Sequence, residues 1–453
     1  MNNIQVFSTR TGRLVVCAVR NFSSSTSRQQ EKHYKLLVVG GGTGGCTAAS
    51  KFASKLGKGK VAILEPSKVH YYQPMWTFVG GGTKTVSNSS RPMGKVLPKK
   101  ADWIQAGAVA FDPKNSTVTC SNGDVIKYDY MVVSMGLQLD YHKVKGLPEA
   151  LLSDPAVCSN YSSKYVTKTF PALENITDGK AIFTSPNCPI KCAGAAQKIM
   201  YIAEEYFNKN GKRDNIDVIF NTSGQAIFGV PKYAETLNKI IEDRNIQLNC
   251  RLSLEEVRSD TREAIFRKLD SETNEKETFN YNFLHVVPPM SAPDVLKASP
   301  LADSMGYLDI NKYSLQHARY PNVFGIGDCT NAPTSKTGAA IAAQSGVLRR
   351  NLTAFMDGKS ASQDEYDGYT SCPLVTGYGK CVMAEFDYDG NPLETFPIDQ
   401  SKERRTMFHM KRDIMPEMYW NLLIKGMWEG PGPYRRLMRL GMGGNKKSEV
   451  AEV

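Results

Sequence analysis

Residues 35–65 hold the feature that most restricts what this chain can become. An apolar segment, KLLVV over 35–39, runs without a break into Gly40, Gly41, Gly42, Thr43, Gly44 and Gly45. The small residues Cys46, Ala48, Ala49 and Ser50 follow, with Phe52 and Leu56 on a helical period, so the pattern predicts a strand, a glycine turn and a helix that approaches a sheet closely. After a break at Gly57 and Gly59, residues 60–64 predict a second strand ending on Glu65. In the spacing Gly40-x-Gly42-x-x-Gly45, glycine lets the backbone approach a pyrophosphate at the positive end of the helix. Glu65 is placed to accept hydrogen bonds from ribose hydroxyls. A glycine turn alone fits many loops, whereas the full strand, turn, helix, strand and acid series points to a dinucleotide.

Two later segments favour FAD over NAD as the occupant. YMVVSMG over 130–136 is a strand that closes on Gly136, and it follows a polar, hairpin-like stretch over 121–128. YPNVFGIGD over 320–328 sets Asp328 after a strand and glycine turn, where a carboxylate can meet flavin ribityl hydroxyls. Lys336 and Thr337 come next; they suit either a cation and helix-end amides beside the flavin pyrimidine or a solvent lysine before a helix.

A second dinucleotide unit begins at AIFTS over 181–185, but no Gly-x-Gly-x-x-Gly follows. Its turn is Pro186, Asn187, Cys188, Pro189, Ile190, Lys191 and Cys192. Such a loop lacks the close backbone approach that a pyrophosphate needs, so this unit is expected to carry no nicotinamide site. Cys192 stands beside Lys191 and ahead of a helix-like run over 193–207, and both an ammonium and a helix N-terminus favour a thiolate. Cys46, Cys120, Cys250 and Cys381 are read as small buried apolar side chains, and Cys188 as a spare thiol. No second paired Cys or His set accompanies Cys188 and Cys192, so no metal site is expected.

The ends of the chain speak to location. Residues 1–30 carry Arg10, Arg13, Arg20 and Arg28, a serine run at 23–25 and no acid, which resembles a mitochondrial presequence. The net charge of +11 is concentrated late: residues 402–447 hold eleven Lys or Arg against four Asp or Glu. Met, Trp, Tyr and Leu interleave with these cations, and Pro416 and the break over 430–433 are expected to divide the region into short amphipathic helices. Such helices can lie on an anionic bilayer or pack on the protein core. No stretch reaches the roughly 18 apolar residues of a membrane span. No recognised nucleic-acid motif uses the basic charge, so no nucleic acid is expected.

The stretches VVGGGTGG (38–45), HYYQPMWTFVGGG (70–82), CPIKCAGA (188–195), FGIGDCTNAPTSKTGAA (324–340) and YDGYTSCPLVTGYGK (366–380) together resemble the two-dinucleotide-binding-domain flavoproteins. Within them, the chain is similar to the sulfide:quinone oxidoreductases of eukaryotic mitochondria. The resemblance implies an α/β fold of two Rossmann-like domains with a C-terminal amphipathic, membrane-associating region. It divides the chain into a targeting segment (1–30), an FAD-binding domain in two parts (31–150 and 291–358), a second Rossmann-like domain (151–290) and a C-terminal region (359–453). It implies FAD, hydrogen sulfide and ubiquinone, a sulfur acceptor such as glutathione or sulfite, and a redox pair Cys192 and Cys372. It places the protein on the mitochondrial inner membrane as a monotopic protein of the matrix side. Two other readings stay open at this level. A non-proton-pumping NADH:quinone oxidoreductase of the same fold would need the missing second glycine turn, and a non-catalytic flavin-binding protein would leave the cysteines inert.

Overall fold

Strand β1 (Lys32–Val39) lies inside a parallel sheet, which explains why Leu36, Leu37, Val38 and Val39 form an unbroken apolar run rather than an alternating one. The computed structural model describes residues 32–440, so the presequence-like segment falls outside the described residues. After the glycine turn come helix α1 (Thr43–Leu56) and strand β2 (Val61–Leu64). With β3 (Asp102–Ile104) and β4 (Val125–Val133), the parallel order is β3-β2-β1-β4, and an antiparallel hairpin continues from β4. The register sets Val39 beside both Leu64 and Val133. Three strands therefore end level, and their loops open on one side.

The second sheet is also parallel. It contains β5 (Val157–Cys158), β6 (Gly179–Ser185), β7 (Ile216–Thr222), β8 (Gln247–Asn249) and β9 (Phe283–His285), in the order β5-β9-β6-β7-β8. Helix α2 (Ala195–Lys209) follows β6 as α1 follows β1. The chain then returns to the first sheet, where β10 (Val323–Gly325) pairs with β4 before helix α3 (Gly338–Met356).

Next comes an antiparallel hairpin, β11 (Thr370–Gly377) and β12 (Lys380–Phe386), with β11 packed on α2. All eight residues of β11 are buried, so both faces are in use. Cys372 pairs with Ala384 and its neighbour Ser371 with Glu385; because side chains alternate along a strand, these two pairs point to opposite faces.

The C-terminal region corrects one expectation. Pro416 does not divide it: residues 405–423 are one continuous helical run, with wide π turns at Met410–Ile414 and Tyr419–Leu423. Pro416 sits in the first turn of the α-helical piece Met415–Met418, directly after a π turn, where a missing N–H is tolerated. The run docks on α1, whose small polar residues let it come close. Thr47 Oγ1 donates to the Leu423 carbonyl (3.0 Å) and Ser50 Oγ to the Ile424 carbonyl (2.8 Å). Glu429 adds ion pairs to Lys51 (3.1 Å) and Arg349 (2.6 Å). Phe408, Trp420 and Leu423 are buried against the protein, whereas Ile414, Met427, Tyr434, Leu437 and Leu440 are exposed. No helix among the described residues is long and apolar enough to cross a membrane.

Candidate active site

A cavity of about 820 Å³ opens at the carboxyl ends of the first sheet and extends to the second unit and the C-terminal run. Gly40, Gly42, Glu65, Gly136, Asp328, Lys336 and Thr337 all line it, and so does Cys192. The three fingerprint glycines do three different jobs. Gly40 turns with φ +99°, and a Cβ there would lie 2.3 Å from the Ser134 carbonyl oxygen. At Gly45 a Cβ would fall on the Gly40 carbonyl oxygen, so this glycine lets α1 close on the turn. A Cβ on Gly42, which also lines the cavity, would meet no protein atom within 4 Å, so this position is open for a ligand to approach. Gly136 and Gly338 are open in the same way.

These features fit a dinucleotide. The cradle is backbone without side chains at the N-terminus of a 14-residue helix, where a phosphate is favoured. Glu65 accepts the Gly41 N–H (2.7 Å) and so fixes the turn from the end of β2. Desolvation raises the Asp328 carboxyl above its ordinary range, and the Lys191 and Lys336 ammoniums oppose this. The Lys336 ammonium donates to the Thr330 (2.6 Å) and Ala332 (3.3 Å) carbonyls, and Thr337 caps α3 by accepting the Ala340 N–H.

The loop after β6 brings the two distant cysteines together. Its backbone is laced to the FAD-type motif through Cys192 N–H, which donates to the Lys336 carbonyl (2.8 Å). Cys192 takes φ +52°, a left-handed conformation that is costly for a non-glycine residue, and its Sγ stands 3.0 Å from Cys372 Sγ. Gly194 is tight against the pair: a Cβ there would lie 2.6 Å from Cys372 Sγ and 2.3 Å from Leu374 Cδ2.

The charge around Cys192 corrects a second expectation. Lys191 turns away and reaches Gln73 Oε1 (3.3 Å). The ammonium at the thiol is that of Lys198, 3.4 Å from Cys192 Sγ and one turn into α2. A hydrogen bond from the Cys372 thiol, then the Lys198 and Lys411 charges, hold the Cys192 thiol well below its ordinary value against the cost of burial. Cys372 moves the other way, through its hydrogen bond to Cys192 and its burial. Burial pulls the Lys411 ammonium down to about 8, with Lys198 adding to the fall. A buried lysine in the apolar stretch AAQKIMY was a visible signal for Lys198, whereas Lys411 arrives from 213 residues beyond it and had none.

Cys46, Cys120 and Cys381 are buried, as expected of small apolar groups, and Cys250 is partly exposed. The Cys188 thiol accepts the Met290 N–H (3.3 Å). No group of three potential metal ligands occurs among the described residues. A further cluster escaped the sequence reading: His70 Nδ1 lies 3.0 Å from the Gly41 carbonyl oxygen, and its Nε2 lies 2.6 Å from the Tyr419 hydroxyl. The glycine turn and the C-terminal run are thereby tied through one side chain.

Residues 34–180 match the pyridine nucleotide-disulphide oxidoreductase family. The chain is 52% identical over 399 residues to the mitochondrial sulfide:quinone oxidoreductase of Mus musculus, covering 88% of each chain. It is 41% identical over 390 residues to that of Dictyostelium discoideum, covering 85% of each. The crystal structure of the sulfide:quinone oxidoreductase from Aquifex aeolicus superposes with a TM-score of 0.75 at 18% identity, over 91% of this chain and 95% of that one.

Proposed function

The chain belongs to the mitochondrial sulfide:quinone oxidoreductase family, and from that premise we propose that Cys192 and Cys372 are the pair through which it oxidises sulfide. It is an FAD-dependent oxidoreductase that takes electrons from hydrogen sulfide and delivers them to quinone. The observation that carries the cysteine assignment is the 3.0 Å approach of two sulfurs that lie 180 residues apart in sequence, with the Lys198 ammonium beside one of them.

The charge distribution gives the pair a direction. In thiol–disulfide exchange the sulfur with the lower pKa leaves faster. Lys198 and Lys411 favour a thiolate on Cys192, so hydrosulfide attacks the Cys372 sulfur of the oxidised pair. One S–S bond forms as another breaks: HS⁻ and the disulfide give a persulfide on Cys372 and a thiolate on Cys192. The Cys192 sulfur borders the cavity and would face the flavin, while Cys372 would carry the outgoing sulfur to a small acceptor such as glutathione or sulfite. The chemistry that bound FAD would supply is a two-electron relay between the cysteine pair and quinone. Gly40, Gly42 and Gly45 would admit its pyrophosphate, Glu65 its ribose, and Gly136, Asp328, Lys336 and Thr337 its flavin half.

The exposed apolar residues Ile414, Met427, Leu437 and Leu440, on a segment rich in Lys and Arg, support monotopic seating on the mitochondrial inner membrane, which we place on the matrix side. Other residues of the same segment, among them Met410, Met415 and Leu422, line the cavity, so quinone would reach the site without leaving the bilayer. Cys192→Ser and Cys372→Ser test the central assignment. Each variant is expected to retain FAD and lose at least about 10³-fold in the rate of flavin bleaching by sulfide. Bleaching at the wild-type rate in either variant overturns it.

A further inference from the structure

The C-terminal region is not alone in carrying surplus positive charge. Between β2 and β3, residues 66–101 hold six Lys or Arg and no Asp or Glu. Lys95, Lys99 and Lys100 are exposed, and among the described residues their ammoniums have no ion pair or hydrogen bond. The second unit neutralises its surface cations instead, with Arg251 on Asp270 (2.7 Å), Lys268 on Glu275 (2.6 Å) and Lys276 on Glu255 (3.1 Å). Like charges gathered without acids repel one another, so such a cluster is relieved by an anion from outside the chain.

This basic segment is docked against the C-terminal run. In a short hairpin, Val69–Tyr71 pairs with Ser90–Pro92, which sets Arg91 opposite His70. The Arg91 guanidinium is exposed and lies 4.3 Å from the centre of the Trp420 ring. The Lys425 ammonium donates to the Val96 carbonyl (3.0 Å), beside Lys95 in the helical turn Met93–Val96. Met427, two residues past Lys425, is 63% exposed, and Met93, between Arg91 and Lys95, lines the cavity. Cations of the FAD-binding unit therefore adjoin both the exposed apolar part of the run and the cavity wall.

We propose that Arg91, Lys95, Lys99 and Lys100 form a docking surface for anionic phospholipid headgroups, a second contact with the bilayer made by the FAD-binding unit. This rests on the monotopic seating of the C-terminal run. A small anion is held by a concave site that displaces its water, whereas the three lysines are exposed and none of them lines the cavity. An extended anionic surface meets several exposed ammoniums at once. The two contacts then divide the work. Apolar side chains of the C-terminal run enter the bilayer whatever its headgroups, and the lysines select anionic lipid and weaken as salt rises.

The experiment is sedimentation of the full FAD-bound chain with vesicles of phosphatidylcholine alone and of an equimolar mixture with phosphatidylglycerol. In the triple variant Lys95→Gln, Lys99→Gln, Lys100→Gln, affinity for the anionic vesicles is expected to fall about 100-fold, about fivefold for each lysine. Binding to the neutral vesicles, and vesicle-free turnover with sulfide and a soluble ubiquinone analogue, are expected to be unchanged. A control triple, Lys209→Gln, Lys239→Gln, Lys276→Gln, removes the same charge from exposed positions of the second unit and is expected to cost less than about threefold. Wild-type affinity of the first triple for anionic vesicles, or equal losses in the two triples, would overturn the proposal. Met427→Ser with Leu437→Ser, run alongside, separates the two failures. If that variant binds both vesicles as wild type does, the C-terminal seating fails and the proposal with it. If it loses neutral vesicles while the first triple keeps its affinity for anionic ones, only the lysine surface fails.

Discussion

The two strand–turn–helix units of this protein, β1 to α1 and β6 to α2, start from the same architecture and end with different chemistry. In the first, the turn is five glycines in six positions, and Gly42 faces the cavity with nothing in front of it. In the second, the turn is longer, carries two prolines, and raises Cys192 on a left-handed backbone position beside Cys372. On the proposed reading, one turn would offer backbone N–H groups to a phosphate, and the other places one sulfur of the redox pair. What separates them is a loop, since both sheets are parallel and both helices leave the same end of their strand. The difference teaches that the Rossmann unit positions whatever its first turn holds, and that the turn decides the ligand.

The sharpest way to break this comparison is to place a methyl group in each turn. Gly194→Ala puts a Cβ 2.6 Å from Cys372 Sγ, which has little room to move. The sulfide-driven rate is expected to fall about 10²-fold with FAD still bound, the cost of a misplaced reacting group. Gly42→Ala meets no protein atom, so the variant should fold normally and instead bind FAD about 10- to 100-fold more weakly through overpacking against the ligand. Flavin content and stopped-flow bleaching measured on both variants check the pair: each substitution should impair one function and spare the other.

A smaller effect is expected at Lys198. Lys198→Ala removes the ammonium 3.4 Å from the thiol and lets the Cys192 pKa rise toward its ordinary value. Bleaching by sulfide should slow about tenfold near neutral pH, with part of the loss recovered as pH increases. In the reduced wild type, iodoacetamide should modify Cys192 at a pH well below the ordinary thiol range, and the variant should require a higher pH. Peptide mapping after pH-dependent alkylation gives the answer.

The smallest effect concerns the link between the glycine turn and the C-terminal run. Burial lowers the His70 pKa from 6.5 to about 4, so the folded protein keeps this imidazole neutral where the unfolded chain takes up a proton. The stability tied to neutral His70 is complete above the unfolded value and is lost as pH falls from 6.5 toward 4. His70→Gln removes this titration, so its acid limb of stability should be shallower by roughly 1–3 kcal/mol, measured by denaturant unfolding across that range.

How much of this could be read from the residues follows from how local each feature is. The glycine turn, Glu65 and the strand ends at Gly136 and Asp328 are set by short-range pattern, and the expected strands and helix over 35–65 coincide with β1, α1 and β2 to within a few residues. The missing second fingerprint was equally plain. The approach of Cys372 to Cys192 was not, because it depends on a hairpin that packs on α2 from 180 residues away, and only family resemblance suggested it. Lys191 was the obvious ammonium by adjacency, yet Lys198 takes that place. Pro416 looked like a break because the rule against proline assumes regular α geometry, and the preceding π turn evades it.

The central claim is that the second unit has exchanged a nucleotide turn for a thiol. Anaerobic titration of the purified FAD-bound protein with sulfide, and separately with NADH, tests it most directly. Full bleaching of the flavin by sulfide, reversal by a ubiquinone analogue and no response to NADH is the expected result; bleaching by NADH with no response to sulfide would contradict the account.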